Sequence, residues 1–142
     1  MFTKQNLLAT VVATVTMFVL GYLIWGVATV GFFEGHTITD VMKDPPDFPI
    51  LILSNLIAAF ALSTVYGKWA RGYHSAGGGF EFGFWIGIFM GLGVGLLWYS
   101  TSNLMDMTGH LVEAVLDIVY YGIVGMVIAL MYKATAPKAE KA

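Results

Sequence analysis

The stretch GFEFGFWIGIFMGLGVG, residues 79–95, places a glycine at every fourth position: Gly79, Gly83, Gly87, Gly91 and Gly95. On a helix of 3.6 residues per turn each step of four advances by about 40°, so the glycines form one slowly winding line. The residues between them are Phe, Trp, Ile, Met, Leu and Val, and Glu81 is the one charge. Such a helix belongs in lipid, where bare backbone lets a neighbouring helix approach closely and no hydrophobic drive favours one apolar surface over another. Each glycine costs about 1 kcal/mol of helix propensity relative to alanine, so the line needs close contacts to offset it.

The whole chain agrees with that reading. Its 142 residues are 58% hydrophobic and 11% charged, whereas a soluble domain carries roughly 25% charged residues. Sixteen charges cannot cover a 15.4 kDa globule in water. The length allows one membrane domain of a few helices. The absence of cysteine excludes disulfides, thiolate metal sites and thiol catalysis. A net charge of −2 points away from a nucleic-acid partner.

About 20 apolar helical residues cross a bilayer core, and the sequence offers four such runs. They cover about residues 7–33, 49–66, 80–101 and 113–132. The fold class expected is all-α, a four-helix transmembrane bundle. The first run holds 27 uncharged residues and has no small-residue cleavage site before Glu34, so it reads as a retained span rather than a signal peptide. Lys4, Lys68, Arg71, Lys133, Lys138 and Lys141 fall on one side of this frame, with Lys43 alone on the other. By the positive-inside rule both termini are cytoplasmic. Most acids fall on the opposite side: Glu34, Asp40, Asp44, Asp47, Asp106, Glu113 and Asp117, against Glu81 and Glu140 inside. Tyr66, Trp69, Tyr73, Trp85 and Tyr132 mark an inner aromatic belt, and Trp25, Trp98 and Tyr99 an outer one.

Between the spans, Thr37 with Asp40 three residues on resembles a capping box, which predicts a short outer helical turn before Pro45 and Pro46. Gly77, Gly78 and Gly79 predict a flexible entry to the third span. The tail from Ala134 is expected to fray. The halves also echo one another. Gly21, Leu23, Ile24, Trp25 and His36 match Gly95, Leu96, Leu97, Trp98 and His110, which suggests a duplicated helical hairpin repeated about an axis along the membrane normal.

The glycine line packs either inside the bundle, with Gly122, Gly125 and Ala129 or Ser54, Ala58 and Ala61 as mates, or between subunits as a glycine zipper. The second arrangement would make the chain a homo-oligomer or a subunit of a membrane complex. If Thr108 caps the fourth helix, His110, Glu113 and Asp117 share one face of it. With His36 on the same side of the membrane, His36, His110 and Glu113 form a candidate metal site. Carboxylates inside a span are functional candidates, and Asn55, Asp117, Tyr120 and Tyr121 form a candidate outward-facing ligand or ion pocket.

The run Leu97, Trp98, Tyr99, Ser100 at a span end, the Gly77–Gly79 entry and the overall spacing resemble small four-span bacterial inner-membrane proteins of uncharacterised function. That resemblance implies no particular activity. No usual catalytic constellation is present, which points away from an enzyme. All three histidines lie at span edges, so no haem, quinone or other cofactor is expected. The reading reached from sequence is a non-catalytic membrane protein that self-associates or docks in a larger assembly within the bilayer. The alternative is a small transporter or channel built around Asp117.

Overall fold

The computed structural model describes residues 2–136; Lys138 and Lys141 of the inner positive set, and the inner acid Glu140, lie outside the described residues. Those residues form helices and loops, with one isolated β-bridge. Four helical segments are long and apolar enough to cross a membrane, the architecture of an integral membrane protein. The first is α1 (Lys4–Gly21), extended by a π-helical segment Tyr22–Ala28 and followed after Thr29 by a short α2 (Val30–His36). The second is α3 (Phe48–Trp69). The third is α4 (Ala76–Gly87), continued by a π-helical segment Ile88–Val94 and by α5 (Gly95–Thr101). The fourth is α6 (Met107–Thr135).

Each main helix begins at a side-chain oxygen that accepts an otherwise unpaired amide of the first turn, which is why it starts there. Thr3 accepts from Asn6 N at 3.2 Å, and Asp47 from Ile50 N at 3.3 Å. Ser75 accepts from Gly78 N at 3.0 Å, and Asp106 from Gly109 N at 2.8 Å. The cap of α6 is therefore Asp106 and not Thr108. Ser75 also overturns the flexible glycine entry, because Gly77, Gly78 and Gly79 are the first turn of α4. The outer helical turn after Thr37 is absent as well. Thr37 donates its hydroxyl to Phe33 O at 2.7 Å, closing α2, and its backbone bridges to Met105. Asp40 accepts from Met42 N at 3.0 Å, a local turn that competes with helix.

The glycine line meets α6 backbone to backbone. A β-carbon on Gly79 would collide with Gly125 O and Ala129, on Gly83 with Tyr121 O, and on Gly87 with Ile118 Cα. On Gly91 it would stand 2.6 Å from Ala114 Cα. Gly95 does not belong to this contact; its nearest neighbour is Met90 O, 3.9 Å away in its own span. Gly91 lies within the π-helical segment and still meets α6, whereas Gly95 begins α5 just past it.

The helices lie in the order α4, α6, α1, α3, each packed against its neighbours in that order. We call the end holding Lys4, Trp69, Ala76 and Thr135 the near end, and the other the far end. At the near end the row closes on itself. Tyr66 is fully buried, with the rings of Phe82 and Tyr132 both 5.5 Å away and that of His74 at 5.7 Å. Tyr132 donates to Ser63 O at 3.0 Å, and Asn6 Nδ2 to Thr64 Oγ1 at 3.0 Å. Toward the far end α3 is bare: from Phe48 to Ile57 every residue is exposed except the half-buried Asn55. The pairing is not symmetric between the two hairpins. A repeat about one axis would pack α4 on α3 as α1 packs on α6, yet α4 and α3 meet through the rings of Phe82, Tyr66 and Trp69 at the near end.

Candidate functional site

The polar groups of the far end gather where α2 reaches the start of α6. Asp106 does two things there. Its Oδ1 caps α6 through Gly109 N, and its Oδ2 lies 2.8 Å from His36 Nδ1. An ionised carboxylate only accepts, so His36 Nδ1 donates. Backbone bonds run alongside: Asp106 N to His36 O at 3.0 Å and Ile38 N to Leu104 O at 2.8 Å. Gly109 completes the fit, since a β-carbon there would stand 3.2 Å from His36 Cβ. The ring of Phe32 covers the imidazole at 4.4 Å. The first and last spans are thereby clasped together outside their apolar stretches.

The hydrogen bond from His36, then that from the Gly109 amide, holds the Asp106 carboxyl below the ordinary carboxylate range. A carboxylate depressed in the folded state contributes stability that is present above its unfolded pKa and is lost as pH falls through its folded value. Acidification below the ordinary carboxylate range is therefore expected to open the clasp, and Asp106→Asn to remove that part of the acid sensitivity. Thermal melts of both proteins against pH would check this. Parallel curves from neutral pH down to the acid limb would refute it.

Deeper along α6, Glu113 and Asp117 are half-buried one turn apart, and among the described residues neither forms an ion pair or a side-chain hydrogen bond. The Asp117 backbone lies against Gly87. Tyr120 is buried; its hydroxyl donates to Met17 O at 3.2 Å, and its ring meets Trp25 edge-on at 5.2 Å. Tyr121 stands against it at 5.0 Å and is half-buried. Trp25 Nε1 and His110 Nε2 are buried with no hydrogen-bond partner among the described residues.

The pocket expected from Asn55, Asp117, Tyr120 and Tyr121 is not assembled. Asp117 and the tyrosines line the contact of α6 with α1 and α4, whereas Asn55 lies on α3, which meets α6 at the near end through Ser63 and Tyr66. Nor do His36, His110 and Glu113 converge: no three His, Asp or Glu side chains gather to hold a metal ion among the described residues. His36 is engaged by Asp106, and His110 packs its ring on Tyr99 at 5.7 Å. Sequence reasoning missed the clasp. The one local signal was the spacing of Asp106 and Gly109, an acid three residues before a glycine at a helix start.

In comparison with known proteins, the chain matches no protein family, no curated relative and no solved structure.

Proposed function

We propose that this protein is a non-catalytic accessory subunit that docks on another membrane chain in the bilayer, with both termini on the cytoplasmic side of a bacterial inner membrane. The observation that carries the reading is the bare far half of α3. Ala59, Ser63 and Tyr66 are buried, and Asn55 continues their face one turn on, yet the side-chain amide of Asn55 makes no hydrogen bond among the described residues. An amide at that depth in hydrocarbon favours a hydrogen bond from a neighbouring helix, worth about 1 kcal/mol. Thr14, Val15 and Phe18 of α1 and Ile52 of α3 line an open apolar crevice beside it. The glycine line supports docking through α3 rather than through α4, because Gly79, Gly83, Gly87 and Gly91 are already covered by α6. The opposite partition of lysine and acid along the chain supports the orientation.

The lack of native cysteine makes the test clean. Ile52→Cys and Val115→Cys replace residues that are 51% and 61% exposed on different faces. A maleimide–diazirine photocrosslinker, which needs no thiol on the partner, attached in native membranes and irradiated is expected to give a discrete higher-mass adduct from Ile52→Cys and none from Val115→Cys, and Asn55→Leu is expected to weaken that adduct. Identical patterns from the two cysteines would remove the docking face.

A further inference from the structure

At the near end the fold collects positive charge from three helices. The contact of Asn6 with Thr64 fixes α1 against α3. Two residues before Asn6 stands Lys4, and one turn beyond Thr64, on the same face of α3, stands Lys68. Arg71 follows in the turn after α3, its backbone held in the left-handed region at φ 48°, a strained setting for a side chain other than glycine. Lys133 of α6 is next to Tyr132, which is bonded to Ser63 O. All four cations are exposed, and among the described residues none of them forms an ion pair. Glu81, exposed on α4, does not neutralise them.

Beside this charge lies an apolar wall on the α1 side of α3: Phe60 stands one turn before Thr64 on the same face, and Phe2 folds back so that its ring stacks on Phe60 at 5.5 Å. A phosphate-bearing headgroup fits the cations, and acyl chains fit the aromatic wall above them. A free anion would use the charge and leave the wall unexplained, which favours a lipid as the occupant. Basic pockets between membrane helices recognise anionic headgroups in this way, each lysine or arginine near an anionic surface contributing about fivefold in affinity.

We propose that the seam of α1 and α3 at the near end binds an anionic phospholipid, with Lys4, Lys68 and Arg71 holding its phosphate and Phe2 and Phe60 holding its chains. The inference is independent of the docking role of the far half of α3, since it uses the other end of the helix.

Native mass spectrometry of the protein released from nanodiscs tests it. From discs mixing phosphatidylcholine and phosphatidylglycerol, the protein is expected to keep phosphatidylglycerol in preference. Lys68→Gln with Arg71→Gln is expected to lower that retention by about 25-fold, whereas Lys68→Arg preserves it and Lys43→Gln, at the far end, leaves it unchanged. Melting curves confirm that each variant is folded, and Lys68→Gln alone, with an expected drop of about fivefold, carries the test if the double variant is not. Equal retention of the two lipids would overturn the proposal. So would full displacement of the lipid by millimolar inorganic phosphate, because the site would then be one for the free anion.

Discussion

Gly83→Ala is expected to drive the last two spans apart. The new methyl group would meet the Tyr121 carbonyl, which belongs to the backbone of a helix and cannot rotate out of the way. Overpacking a well-filled contact costs about 1–3 kcal/mol when side chains can yield, and here α4 or α6 must move as a body, so the loss belongs at or above the top of that range. Gly95→Ala carries the opposite expectation. It adds a methyl group where the nearest atom is 3.9 Å away, and the gain in helix propensity is about 1 kcal/mol. Thermal unfolding of both variants in one detergent would show a large drop for the first and a small rise for the second. Equal shifts would mean that the five glycines act as one line.

Tyr66→Ala should be nearly as damaging, for a different reason. Tyr66 is wholly buried and touches rings from α4, α6 and the turn after α3, so its removal leaves a cavity where the row of helices closes. Truncating a buried aromatic residue costs about 3–5 kcal/mol. Tyr66→Phe keeps every ring contact and loses only the hydroxyl, which lies 3.3 Å from His74 Nδ1, a change of about 1 kcal/mol. Melts of the two variants separate packing from hydrogen bonding. Should Tyr66→Ala unfold at the parent's temperature, the near-end cluster is not what closes the row. Burial holds the His74 imidazole below its ordinary pKa, so its contribution is full above the ordinary value and declines as pH falls from there toward the depressed one.

The four spans were legible because an uncharged run of bilayer length is a one-dimensional property. Their ends were not, since Asp106 and Ser75 act through single hydrogen bonds that hydropathy cannot register. The glycine line was legible as a contact surface, and its partner residues Gly125 and Ala129 were among the mates named from sequence. Its end at Gly91 was hidden, because where α6 stops covering the third span is decided by packing and not by the four-residue spacing. The far-end site suffered most. His36 and Asp106 are 70 residues apart and joined through a β-bridge between two loops, whereas periodicity speaks only within a helix. The same limit explains Asn55: depth in the membrane placed it level with Asp117, and depth says nothing about which neighbour a helix faces.

Helix α6 touches each of the other three spans and is the last of the four to be synthesised. Chains emerge from the N-terminus onward, so α1 and α3 can pair through Asn6 and Thr64 while α6 is still unmade. The exposed backbone of Gly79, Gly83, Gly87 and Gly91 has no cover until then. Any insertion factor or chaperone that shields this protein during biogenesis would find its natural target in that interval on the third span, and its release would coincide with the arrival of the fourth.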